Sequence, residues 1–217
     1  MSADVPSVFG KIYRDNEWTN GSGPGSFRSF NRELLDYLTT FLSRPDISSI
    51  GDIGCGDFQL FKQFDFGKCQ YTGFDVVSKV IENNRNQVGN KNAQFAVMPE
   101  RLDSLPHRDL YLIKDVLIHL PNEDSAEILR NLLHKCKYAI VVNNVADDGD
   151  NYNRDIVAGS FRPVDVSKAP FDLPVIETIR YGRAWDYDPR LPRLIARLLR
   201  KRVWPGTKHI QLLAGLE

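Results

Sequence analysis

The stretch Ile50-Gly51-Asp52-Ile53-Gly54-Cys55-Gly56-Asp57 carries a carboxylate into two glycines one residue apart. Nineteen residues beyond Gly56, a second apolar run ends in an acid, Tyr71-Thr72-Gly73-Phe74-Asp75. A glycine turn after a first parallel strand lets backbone approach a ligand closely, and an acid ending the next strand can hold two ribose hydroxyls. Together they describe a site for an adenosine-containing cofactor. The dinucleotide pattern G-x-G-x-x-G fails because its third glycine would be Gln59, and no G-x-x-x-x-G-K-[ST] loop exists. The ligand therefore needs no phosphate cradle. Cys55, inside the turn, reads as a small packing residue at the ligand's edge.

The elements that must position these groups alternate helix and strand, which predicts a parallel sheet with helices on both faces. Phe30, Leu34, Leu35, Leu38, Phe41 and Leu42 fall at helical spacing and predict a first helix over 27–43. Strands are expected at 48–53, 70–74, 92–97, 109–113 and 137–143. Helices are expected to start at Leu60, at Ser78 and at Asn122. A polar stretch, 144–174, follows the fifth strand, and strands at 174–181 and 207–213 complete the order. Between those two lies a basic helix over 189–203, within an insert spanning 185–204.

Asp52-x-Gly54-x-Gly56 followed by Asp75 resembles the first motif region of the class I S-adenosylmethionine-dependent methyltransferases. The resemblance implies one α/β domain over 1–217: a doubly wound, seven-stranded, mostly parallel sheet with an antiparallel C-terminal strand pair. It implies S-adenosyl-L-methionine as cofactor. Gly54 and Gly56 would meet its amino-acid part, Asp52 its ammonium, Asp75 its ribose and Val76 its adenine. Met98 or Glu100 would read the adenine amino group, and Lys114 with Asp115 would face the methionine side. Phe58 stands where many members have a third glycine, and is expected to alter packing beside the methionine tail. A narrower resemblance, to a group of small bacterial or phage-type methyltransferases, lies in Ile12-Tyr13-Arg14-x-Asn16-x-Trp18, Ser22-Gly23-Pro24-Gly25-Ser26 and Lys114-Asp115-Val116-Leu117-Ile118-His119-Leu120. The family often closes its cofactor site with N-terminal segments. Residues 1–44 are thus a candidate lid, with Trp18, Ser22 and Ser26 as candidate cofactor contacts.

Methyl transfer from a sulfonium is an in-line displacement at carbon. An alcohol acceptor benefits from a general base, and an unprotonated amine does not. Asp115 and His119 follow the fourth strand at one-turn spacing, which predicts a shared face and makes them the candidate catalytic pair. Residues 144–174 leave the carboxyl edge of the sheet, where open α/β sheets bind ligands. Asn143, Asn144, Tyr152, Asn153, Asp155 and Arg162 are the candidate acceptor contacts, and their polarity suits a hydroxyl-rich small molecule or sugar. Asp147 and Asp148 add carboxylates nearby, but without metal-ligand spacing, so no metal is expected.

The chain has 217 residues, and its 28 basic and 28 acidic residues cancel. That balance gives no global pull toward nucleic acid or an anionic membrane. No apolar run approaches a membrane span, and Met1-Ser2-Ala3-Asp4-Val5 lacks the basic and apolar regions of a signal peptide. Three cysteines outside metal spacing suit a reducing cytoplasm. Two further functions stay open. Arg190, Arg193, Arg197 and Arg200 could recruit RNA or protein as acceptor, and the fold could bind its cofactor without catalysis.

Overall fold

Alternate residues of one strand enter two different cores. Leu110 and Leu112 join one apolar cluster, while Tyr111 and Ile113 join the other. A strand buried on both sides must belong to a sheet covered on both faces. The computed structural model describes residues 1–2, 4–19, 21–87, 92–145, 152–182 and 207–216. Its sheet has seven strands: β1 (Ser49–Ile53), β2 (Gln70–Asp75), β3 (Ala93–Val97), β4 (Arg108–Lys114), β5 (Cys136–Asn144), β6 (Val175–Tyr181) and β7 (Lys208–Ala214). Their spatial order is β3-β2-β1-β4-β5-β7-β6. Pairing is parallel from β3 through β5, whereas β7 lies antiparallel to both β5 and β6. The order reverses between β1 and β4, and the carboxyl ends of these strands open onto one edge. The start of antiparallel β7 reaches that same edge, where Lys208 pairs in register with Asn144.

Helices α2 (Arg32–Leu42), α3 (Ser78–Gln87) and α4 (Asn122–Leu133) fall close to their expected positions. The first of these is shorter than 27–43. Residues Pro24–Ser26 and Arg28–Phe30 form separate 3₁₀ turns, and the buried Asn31 amide ties them by donating to the Gly25 and Phe27 carbonyls at 2.8 Å each. A further helix, α1 (Val5–Arg14), folds the N-terminal arm. Its buried stripe Val5, Phe9 and Ile12 packs into the core that also holds Ile113 and Ile128.

The helix expected to start at Leu60 does not form. Phe58 takes a positive φ of 59°, and consecutive turns close from Phe58 to Cys55, Phe61 to Phe58 and Phe64 to Phe61. Aromatic rings at every third position, Phe58, Phe61 and Phe64, then pack in succession, and Phe58, Phe61 and Phe66 lie tilted against buried Tyr71. That period matches the i→i−3 turn rather than the 3.6-residue helix. Phe58 therefore points into the core, 2 % exposed, and leaves the space beside the glycine turn unaltered; this corrects the expected effect on the methionine tail. The basic helix over 189–203, the insert 185–204, Asp147 and Asp148 lie outside the described residues. No described helix is long and apolar enough to cross a membrane.

Candidate functional site

At the carboxyl edge of β1, β2 and β4 lies a cavity of about 380 Å³. Its floor is the turn after β1. Gly54 and Gly56 both adopt left-handed φ, +69° and +55°, which side-chain-bearing residues rarely take. A Cβ on Gly54 would sit 2.4 Å from Val116 Cγ2, and one on Gly56 would sit 2.2 Å from Ser22 Oγ. The glycines are thus required first by the protein's own packing. Gly54 lets the segment after β4 approach, and Gly56 lets the N-terminal arm do so.

Two buried carboxylates flank this turn. Asp75 accepts the Gly56 amide on one oxygen at 3.0 Å and the Val77 amide on the other at 2.9 Å. Burial drives its carboxyl up to about 6, with those amides pulling the other way. Each oxygen keeps a lone pair for a ligand hydroxyl. Asp52 accepts the Tyr71 hydroxyl at 2.5 Å, and burial drives its carboxyl up to about 7. Among the described residues neither acid has an ion-pair partner. A buried carboxylate of this kind is stabilised by a cation that arrives with a ligand. An adenosine ribose at Asp75 and an ammonium at Asp52 fit these two groups.

The N-terminal arm forms the cavity's other wall. The Tyr13 hydroxyl and Ser22 Oγ are 2.9 Å apart, Ser22 Oγ accepts the Asp57 amide at 3.0 Å, and Asp57 Oδ2 accepts the Ser22 amide at 3.2 Å. Trp18 packs on Phe9 and Tyr13, and its ring lies 4.9 Å from that of His119. Trp18, Ser22 and Ser26 all line the cavity, as do Cys55, Val76, Met98, Lys114, Asp115, His119 and Asn144.

Asp115 and His119 meet at this cavity, though not on one helix face. Asp115 has φ +56°, and only Leu117–His119 forms a 3₁₀ turn. Burial raises the Asp115 carboxyl, but Lys114 and Lys208 outweigh it and hold the group well below the usual carboxylate range. It is a poor proton acceptor near neutrality. His119 Nδ1 lies 2.8 Å from the Ser160 carbonyl, which can only accept. That bond puts the proton on Nδ1 and leaves the Nε2 lone pair available. Burial lowers the imidazole's affinity for a second proton, with the Ser160 carbonyl opposing. The side chain is therefore neutral at pH 7.

The remaining sequence candidates lie elsewhere. Glu100 is exposed and outside the lining. Asn143 is buried away from the cavity, and Tyr152 stacks under Lys168. Asn153 donates to the Asp165, Lys168 and Ala169 carbonyls, and Asp155 accepts the Asn122 amide at the start of α4. Arg162 donates to the Leu117 and Leu120 carbonyls and to Ser125 Oγ, and is 1 % exposed. Asp155 and Arg162 fasten the segment after β5 onto the start of α4, and Asn153 ties that segment to itself. Short polar side chains that satisfy buried backbone cannot be told from ligand contacts in a sequence. Lys208 was absent from the sequence candidates. Only the antiparallel placement of β7 brings it to the cavity, and the sole signal was a lysine opening a strand that carries Ile210, Leu212 and Leu213.

The sheet order, its one antiparallel strand and its covering helices define the class I S-adenosylmethionine-dependent methyltransferase fold. Solved structures share it across nearly the whole chain. One is magnesium protoporphyrin IX methyltransferase from Synechocystis PCC 6803 with bound S-adenosylmethionine, at 14% identity, 98% of each chain and a TM-score of 0.60. Another is the N-methyltransferase NodS from Bradyrhizobium japonicum WM9 with S-adenosylhomocysteine, at 14% identity, 100% of each chain and a TM-score of 0.60. A third is Burkholderia thailandensis 1,6-didemethyltoxoflavin-N1-methyltransferase, at 16% identity over 99% of this chain and 88% of the other, with a TM-score of 0.63. No family model and no curated protein sequence matches the chain.

Proposed function

We propose that this protein is a methyltransferase that takes the methyl group of S-adenosylmethionine to a small-molecule or sugar acceptor, at oxygen. The observation that carries this is the pair of buried carboxylates, Asp52 and Asp75, on either side of a left-handed glycine turn. When bound, the cofactor supplies an electrophilic methyl on a sulfonium. Asp75 holds the ribose hydroxyls with the lone pairs its two backbone amides leave free. Asp52 takes the ammonium, and Tyr71 fixes the carboxylate's orientation. Trp18 and the Ser22–Ser26 segment cover the site and exclude water.

His119 is the group suited to accept the acceptor's proton. Its Nδ1 is committed to the Ser160 carbonyl, and burial favours the neutral form, which leaves Nε2 unprotonated and able to accept. Asp115, held ionised by two lysines, is better suited to a charged contact than to proton transfer. NodS and the toxoflavin enzyme are named for transfer to nitrogen. An unprotonated imidazole lining the cavity supports oxygen instead, because an unprotonated amine has no proton that must leave before attack. The test is incubation with methyl-labelled S-adenosylmethionine and fractionated small-molecule, glycan and RNA extracts. Label is expected in a small-molecule or glycan fraction as a base-stable methyl ether. Label in RNA, or none with tight cofactor binding, would overturn the assignment.

A further inference from the structure

A chain of polar contacts runs from β7 through β4 into the N-terminal arm. Lys208 Nζ donates to Asp115 Oδ2. Lys114 Nζ donates to the same oxygen at 2.5 Å and to the Gly25 carbonyl at 2.8 Å. Gly25 sits directly on this cluster, since a Cβ there would lie 3.1 Å from Asp115 Oδ2 and 3.8 Å from Lys208 Nζ. Lys208 is 1 % exposed, and burying an ammonium is costly unless its partner is well placed. Asp115 in turn is held at φ +56°, with its amide donating to the Val142 carbonyl at 2.8 Å.

We propose that Lys208 is a positioning residue that latches the N-terminal arm over the cofactor cavity. It fixes the Asp115 carboxylate, and the carboxylate fixes Lys114 against the Gly25 carbonyl. The next contacts in the same segment, Ser22 with Asp57 and Tyr13, then close over the glycine turn. Three distant pieces of chain, the start of β7, the end of β4 and the 22–26 segment, are joined through Asp115 Oδ2 and the Lys114 ammonium that it shares with Gly25. Removing Lys208 leaves Asp115 with a single cation and space to swing, which draws Lys114 from Gly25. The role in cofactor retention rests on the methyltransferase function proposed above; the tethering of the arm does not.

Hydrogen exchange over residues 16–27 tests the tether in unliganded protein. Lys208→Met is expected to raise exchange there by about tenfold, as does Lys114→Met, while Lys208→Arg restores protection. Calorimetry with S-adenosylhomocysteine tests the consequence. Lys208→Met is expected to weaken binding by about tenfold through faster dissociation, with Lys208→Arg near wild type. Circular dichroism confirms that each variant folds. Unchanged exchange over 16–27 in a folded Lys208→Met would overturn the latch, as would equal loosening in Lys208→Arg. If wild type fails to bind S-adenosylhomocysteine while the exchange pattern holds, the proposed function fails and the latch stands.

Discussion

Asp75 is the residue whose removal separates ligand recognition from scaffold. Its two oxygens each accept one buried backbone amide, from Gly56 and Val77. In Asp75→Ala both amides lose their partner. An unsatisfied buried donor costs about 1–3 kcal/mol, so the folded state should lose roughly 2–6 kcal/mol. That is a large share of a typical domain's stability. Asp75→Asn is milder. One oxygen survives for one amide, and the new NH₂ faces the other, so about 1–3 kcal/mol is expected. In both variants the ribose loses a charge-assisted partner worth about 1.5–3 kcal/mol, which is roughly a 10- to 150-fold weaker Kd. Thermal unfolding measures the first cost, and calorimetry with S-adenosylhomocysteine measures the second. The analogue lacking the ribose 2′-hydroxyl completes a cycle. Wild type should bind it more weakly than the parent, and Asp75→Asn should bind the two alike. A folded Asp75→Asn that binds S-adenosylhomocysteine as wild type does, or still discriminates the analogue, would refute the ribose assignment.

Gly56→Val should abolish cofactor binding and loosen the arm even without ligand, because its Cβ would meet Ser22 Oγ at 2.2 Å; proteolysis of the arm and calorimetry check this. Phe58→Ala should cost about 3–5 kcal/mol of stability yet leave S-adenosylhomocysteine affinity unchanged, since the ring lies in the core; chemical denaturation with calorimetry separates the two. Cofactor affinity should fall as pH drops below about 7. Asp52 and Asp75 bind protons there, only their ionised forms suit the ammonium and ribose, and binding must then release protons. Calorimetry in buffers of differing ionisation enthalpy should show that release, and Asp52→Asn should lose most of it. His119→Ala should lower kcat by about 10²–10⁴ with little change in cofactor affinity and should lose the acidic limb of the pH–rate profile; near-full turnover would point to a nitrogen acceptor.

The alternation of apolar runs and helical stripes was enough to place most elements and a parallel sheet covered on both faces, the family resemblance added its antiparallel strand pair, and the glycine turn with the acid after the second strand marked one end of the cavity. Those features are local: a strand, its turn and the next strand's terminal acid lie within one βαβ-like unit, so spacing along the chain translates directly into spacing in the fold. The sequence pattern failed where distant segments compete for the same space. The 58–66 run has helix-permissive residues, yet its aromatic rings are drawn to Tyr71 and the core, and three-residue turns result. Asn153, Asp155 and Arg162 look like ligand contacts, but backbone groups after β5, at the start of α4 and in the turn before it take their hydrogen bonds. Lys208 joins Asp115 across 93 residues only because β7 runs antiparallel and starts at the ligand edge. Burial and charge pairing act through space, so which polar groups face a ligand and which hold the scaffold is decided by the tertiary structure.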